Sequence, residues 1–323
     1  MKKVLVNKPL HPDALEILNQ CEFDVLYPVE LPDAEVIKML PDINGLVLFV
    51  GIHMDGALMD TCKKLEVVGR HGVGLDNVDV PAATARGIKV VYTPFGPTES
   101  TAEHTFTLMM SIARQVPVID RATRSGDWNI RDRLITREMQ GKSVGIIGFG
   151  RIGKRFAQMC RGALDMTVYV YDPYLDASFV ENQGAVYMTN LKEMASKVDV
   201  LSVHCPLTSE TRRMVNAEIF QAMKSSAYLV NAARGPIVDE AALIQALQSH
   251  LIAGAAVDVY DPEPPARDNP LYQLENIVLS PHLASMTEEG RRRMGVTVVE
   301  EVLKVLRGEK PAYIANPEVY SRS

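Results

Sequence analysis

The sequence predicts an α/β protein made of two doubly wound parallel-sheet domains, one inserted into the other. Three observations predict it. Short apolar runs alternate with amphipathic segments from end to end, the pattern of parallel strands covered by helices on both faces. A glycine-rich turn, Gly148-x-Gly150-x-x-Gly153, follows one of these runs near the middle of the chain rather than near its start. The final stretch, residues 287–323, holds no strand-like run and cannot bury a core alone. A length of 323 residues suits about two domains, and a 47% hydrophobic content supplies two cores.

Five strands are expected before the turn, at residues 4–6, 23–27, 46–50, 65–69 and 89–92. Seven are expected from the turn onward, at 143–148, 167–171, 185–188, 199–203, 228–230, 254–257 and 277–279. Residues 94–98, PFGPT, read as a linker. A helix over 100–114 should follow, with Ser100 and Glu103 forming a capping box. Ser285-Met286-Thr287-Glu288 repeats the form and opens a helix with Met294, Val298, Val302 and Leu306 on one stripe, closed by Gly308 and Pro311. The expected division is therefore 1–98 with 287–323 as one domain, surrounding an inserted domain at 99–286.

Composition excludes several classes. A net charge of −6 argues against nucleic acid as a partner, because phosphate binding calls for a basic surface. The four cysteines show neither CxxC nor metal-ligand spacing, so reduced thiols, no metal and a cytoplasmic location are expected. Only Val4, Leu5 and Val6 follow the basic start, too few for a signal peptide. No run approaches the roughly 18 apolar residues of a membrane span.

The glycine turn has the context of a dinucleotide fingerprint. A strand ends just before Gly148, and a helix is expected from Arg151 to Gly162. Glycines there permit a tight turn and let backbone approach a pyrophosphate at the positive end of the helix. An acid should stand about 20 residues on, after the next strand, and Asp172 does. Its carboxylate suits the two adenosine ribose hydroxyls and repels a 2′-phosphate. Pro173 and Tyr174 follow, with no arginine to receive that phosphate, so NAD is favoured over NADP.

Polar or special residues stand beyond the carboxyl end of nearly every strand of the second set: Gly148, Asp172, His204-Cys205-Pro206, Asn231-Ala232-Ala233-Arg234, Asp258 and His282. Ligands of open α/β sheets bind at that edge. Arg234 can hold a carboxylate through paired hydrogen bonds. Glu263 lies in the proline-stiffened DPEPP loop at 261–265. A lone histidine is more often structural, but His282 flanks the same edge, and a carboxylate-oriented histidine is a proton donor near neutral pH.

Together these residues resemble the D-isomer-specific 2-hydroxyacid dehydrogenases over essentially the whole chain. The resemblance is carried by GRHGVGLDNVD at 69–79, the fingerprint with Asp172, HCPLT at 204–208, NAARG at 231–235, Asp258 with Glu263, and SPH at 280–282. It implies a Rossmann NAD-binding domain inserted into a flavodoxin-like substrate domain, with the active site in the cleft between domains. It also implies that Arg234 binds the substrate carboxylate and carbonyl, that His282 exchanges the proton of the keto oxygen, and that Glu263 keeps His282 protonated. Val73 and Gly74 would offer backbone N–H groups to the carboxylate. Cofactor contacts carried over are Val73, Gly148, Gly150, Arg151, Ile152, Gly153, Asp172, Cys205, Ala232, Ala233, Arg234, Asp258, His282 and Ser285, with Asp258 on the nicotinamide carboxamide.

Two departures bear on the substrate. Members resembling 3-phosphoglycerate dehydrogenase carry an arginine at the end of the third substrate-domain strand, where Phe49 stands here, and no regulatory domain is expected after residue 323. Formate dehydrogenases of this fold lack the glutamate that Glu263 supplies. The leading expectation is an NAD-dependent dehydrogenase of hydroxypyruvate, glyoxylate or an apolar 2-keto acid. D-3-phosphoglycerate dehydrogenase is the alternative, and an NAD-sensing corepressor the alternative of another class. A homodimer across the 100–114 helix region is expected by analogy, with Trp128 either reaching the partner or anchoring a core.

Overall fold

The computed structural model describes residues 1–321. The chain divides into two compact units, Met1–Ser100 with Ser285–Ser323, and Thr101–Ala284.

The first unit holds a five-stranded parallel sheet of β1 (Lys3–Val6), β2 (Asp24–Leu26), β3 (Gly45–Leu48), β4 (Val67–Arg70) and β5 (Lys89–Tyr92), in the order β2-β1-β3-β4-β5. This is the flavodoxin-like order. Side chains alternate across a strand, and here both faces are apolar. Val4, Val6, Val47, Val67 and Val91 face one core. Leu5, Leu46, Leu48, Val68 and Val90 face the other. The Glu288–Leu306 helix covers the first face, with Met294, Val298, Val302 and Leu306 all buried. The terminal stretch thus packs on the β1–β5 sheet, and Ile314 adds an antiparallel bridge to Val91.

The second unit holds a seven-stranded parallel sheet. Its strands are β6 (Ser143–Ile147), β7 (Thr167–Tyr171), β8 (Val186–Tyr187), β9 (Val200–Val203), β10 (Tyr228–Asn231), β11 (Gly254–Val257) and β12 (Ile277–Leu279). The order β12-β11-β10-β9-β6-β7-β8 reverses at β6, the Rossmann switch point. The fingerprint follows β6, and Asp172 directly follows the neighbouring strand β7. Both faces again carry apolar clusters.

Two expected helix starts move. The first helix runs Thr98–Ala113, so Ser100 lies within its first turn, and its hydroxyl bonds that of Thr287 at 2.7 Å instead of capping. The last helix is capped by Thr287, which accepts from the Gly290 N–H, and not by Ser285. In both cases the packed helix, not the local capping pattern, set the start. Trp128 is 67% exposed in the Trp128–Asp132 turn, which removes its reading as a core anchor.

Candidate active site

The fingerprint turn is built by close backbone approach. Gly148 has φ +90°, and a Cβ there would lie 2.7 Å from the Cys205 backbone nitrogen. A Cβ on Gly153 would lie 2.4 Å from the Gly148 carbonyl oxygen. A side chain at Gly148 would strike the backbone that follows β9, and one at Gly153 would push the Arg151–Leu164 helix off β6. Gly150, the N-cap, differs: a Cβ there would meet nothing within 4 Å. Open space before a helix N-terminus fits a pyrophosphate. Asp172 closes the turn. Its Oδ2 accepts from the Phe149 N–H at 2.8 Å and its Oδ1 from the Tyr174 N–H at 3.0 Å. Each oxygen keeps acceptor capacity for a ribose hydroxyl. The residues present therefore fit a dinucleotide.

Next to β9 the two candidates are inert toward protons. Burial pushes His204 down to about 3, so its ring is neutral, bonded to Ser202 Oγ at 2.8 Å. Burial likewise pushes the Cys205 thiol up to about 11 and keeps it protonated.

The chemistry gathers at the ends of β10, β11 and β12. Arg234 follows β10 and donates from Nη1 to the Ala233 carbonyl at 2.7 Å. Asn231 shapes that turn, donating to Arg234 O and accepting from the Ala233 N–H. Glu263 accepts from the Tyr260 N–H at 2.9 Å through Oε1 and meets His282 Nδ1 at 2.7 Å through Oε2. Burial pushes the Glu263 carboxyl up, but the His282 bond and charge, the Tyr260 N–H and the Arg234 charge together hold it below the usual value. With Glu263 as acceptor, Nδ1 carries a proton, and Nε2 is the atom left to exchange one.

His282 has φ +55°, a left-handed backbone that costs about 1–2 kcal/mol in a residue with a Cβ. Such strain persists where the surroundings over-determine it. The His282 N–H donates to Asp258 O at 2.8 Å. The Leu283 and Ala284 N–H groups donate to the two Asp258 carboxylate oxygens, each at 2.9 Å. That carboxylate is fully buried, and beside these two N–H groups its partners are the Ser280 hydroxyl and His104, 3.4 Å away. Neither His104 nor the Ser280 hydroxyl that it meets at 3.1 Å was singled out from sequence. Ser280 sits in the SPH motif, but nothing local marks His104.

In the first unit, the candidate residues also stand at strand ends. Phe49 follows β3 and stacks on His71 after β4, with ring centroids 4.0 Å apart and planes 14° from parallel. Burial, helped by the Arg70 charge, pushes His71 down to about 3, so the stack is uncharged. Arg70 turns a guanidinium nitrogen back to the His71 carbonyl. Val73, 39% exposed, and Gly74 lie in the loop after β4. Ser285 also belongs to this unit.

A Rossmann sheet with a fingerprint, an acid just after its second strand and a carboxylate-held histidine at one edge fits a dinucleotide-dependent class of protein. Residues 106–284, more than half of the chain, match the family model of the D-isomer specific 2-hydroxyacid dehydrogenase NAD binding domain. The chain belongs to that family. The matched domain supports a nicotinamide cofactor.

Three relatives show its range. D-3-phosphoglycerate dehydrogenase of Archaeoglobus fulgidus is 39% identical over 306 residues, 95% of this chain and 58% of that protein. Glyoxylate reductase of Thermofilum pendens is 35% identical over 323 residues, 98% of this chain and 95% of that one. The NADPH-dependent glyoxylate/hydroxypyruvate reductase of Sinorhizobium meliloti, solved with NADP and malonate, is 32% identical with a TM-score of 0.85, covering 97% of this chain and 96% of that one. The chain spans about three fifths of the length of the curated D-3-phosphoglycerate dehydrogenases it matches. Among the described residues, no helix is long and apolar enough to cross a membrane.

Proposed function

We propose that this protein is an NAD-dependent oxidoreductase of small D-2-hydroxy and 2-keto acids. The observation that carries the reading is the 2.7 Å contact between Glu263 and His282 at the strand edge that also holds Arg234. When bound, the nicotinamide supplies or takes the hydride. His282 delivers a proton from Nε2 to the keto oxygen in reduction and accepts it in oxidation. Glu263 fixes the ring and compensates its positive charge. Arg234 pairs with the substrate carboxylate and polarises the carbonyl. In the first unit, Val73 and Gly74 are assigned, by family resemblance, as backbone donors to the carboxylate.

NAD over NADP is the reading Asp172 supports, because a second negative charge beside its carboxylate would be repelled. The NADPH-dependent Sinorhizobium meliloti reductase makes this a point for measurement in this chain. The uncharged Phe49–His71 stack supports hydroxypyruvate, glyoxylate or an apolar 2-keto acid over a phosphorylated one. The names of the phosphoglycerate dehydrogenase relatives favour the second reading, D-3-phosphoglycerate oxidation. A cytoplasmic homodimer is the proposed state. Its support is the apolar surface over 116–135, where Val116, Trp128 and Ile135 are 51%, 67% and 89% exposed. NADH and NADPH oxidation with a panel of 2-keto acids tests the whole reading, and an NAD-sensing protein would bind NADH yet turn over none of them.

A further inference from the structure

We infer that His104 is a positioning residue for His282, acting through Asp258 and Ser280; the inference rests on the proposed role of His282 as proton donor. His104 lies in the Thr98–Ala113 helix, far in sequence from both partners. Its Nε2 is 3.1 Å from Ser280 Oγ and 3.4 Å from Asp258 Oδ1. Its side chain is 26% exposed and that of Asp258 is 0% exposed. A fully buried carboxylate needs donors around it. Four groups supply them: the His104 ring, the Ser280 hydroxyl, and the N–H groups of Leu283 and Ala284. Two of the four are the backbone immediately after His282, and the His282 N–H bonds the Asp258 carbonyl at 2.8 Å. Asp258 therefore fixes the strained turn that aims His282, and His104 fixes Asp258.

The donor directions are set by the chemistry of the group. An ionised carboxylate only accepts. Burial pushes the Asp258 carboxyl up, but the His104 and Ser280 bonds with the two N–H groups hold it below the usual value. The Nε2 of His104 is then protonated and donates into the Ser280–Asp258 pair. Ser280 is itself held, accepting at its carbonyl from the Tyr260 hydroxyl at 3.0 Å. Tyr260 in turn donates its N–H to Glu263, so both supports of His282 meet at β11 and β12.

The test compares His104→Ala and His104→Gln with the parent protein. A glutamine amide can place a donor where Nε2 stands, and alanine cannot. In kinetics, His104→Ala should lower kcat by about 10- to 100-fold, the scale of a small misplacement of a reacting group, with the NADH Kd within about twofold. His104→Gln should recover kcat to within a few-fold. Independently of activity, hydrogen exchange of the Leu283 and Ala284 amides should quicken at least about tenfold in His104→Ala and not in His104→Gln, with exchange in β6 unchanged. Unchanged exchange at 283–284 in His104→Ala overturns the inference, as does equal loss in both variants. A parent protein that turns over no 2-keto acid overturns the proton-donor role instead, and the exchange result alone then decides whether His104 holds the turn.

Discussion

His282 presents Nδ1 to Glu263 at 2.7 Å while 39% of its side chain stays exposed. One ring nitrogen is committed to the protein and the other is left to exchange a proton, as the proposed general acid requires. Replacing His282 by alanine should lower kcat by about 10²–10⁴, the usual worth of general acid–base catalysis. NADH binding, followed by its fluorescence, should persist. Full activity in His282→Ala would remove the residue from the chemistry.

Glu263→Gln should move the pH profile of keto-acid reduction to lower pH. The sign follows from the pair. The carboxyl of Glu263 is held below its usual value chiefly by the His282 bond and charge, working against burial. The glutamine variant removes a negative charge 2.7 Å from Nδ1, the charge that compensates the positive ring needed as the acid in reduction. Glutamine keeps the shape and removes the charge, and the alkaline limb should fall earlier. The carboxylate's contribution to stability is present above its unfolded pKa and lost as pH falls through the lower folded one. An unmoved alkaline limb would remove Glu263 from the mechanism.

Asp172 both carries a charge and holds the Phe149 and Tyr174 N–H groups. Serine or alanine removes both functions, so Asp172→Asn is the sharper variant: it keeps an acceptor and discards the charge. The ratio of Kd values for NADPH and NADH should narrow, mainly through affinity. A parent protein that already uses both cofactors equally well would contradict the charge-exclusion reading.

Phe49 offers no partner to a phosphate, and its neighbour in the stack is a neutral histidine. Losing one hydrogen bond to a charged group costs about 1.5–3 kcal/mol, roughly tenfold to a hundredfold in kcat/KM. Hydroxypyruvate, glyoxylate or an apolar 2-keto acid should therefore outrun 3-phosphohydroxypyruvate in side-by-side kcat/KM measurements. Phe49→Arg should improve the phosphorylated compound relative to the others. A clear preference of the parent protein for the phosphorylated compound would restore the phosphoglycerate dehydrogenase reading.

Gly235 lies where the loop after β10 passes the loop after β11. A Cβ there would stand 1.8 Å from the Tyr260 carbonyl oxygen, and backbone cannot swing aside as a flexible side chain can. Overpacking of this kind costs about 1–3 kcal/mol, and a domain of this size loses roughly 2–4 °C of Tm per kcal/mol. Gly235→Ala should lower Tm accordingly and also kcat, since Arg234 and Glu263 flank the contact. A variant with parental Tm and kcat would show that the two loops part without cost.

The sequence by itself determined the two parallel sheets, the fingerprint with Asp172, and the row of polar residues beyond the strand ends. These are local properties. Strand periods, glycine turns and the acid after the second strand are each written within about 25 residues, as physical constraints on neighbouring atoms. Tertiary structure decided the rest. It began the two helices at Thr98 and Glu288 rather than where the Ser100 and Ser285 capping boxes placed them, because packing overrides a local capping pattern. It stacked Phe49 on His71 and exposed Trp128. It brought His104 to Ser280 across 176 residues. No periodicity encodes that last contact, because it exists only once β11 and β12 pair and the Thr98–Ala113 helix packs beside them; the residues that aim a catalytic group are chosen by proximity in space, which the order of strands sets and the order of residues does not.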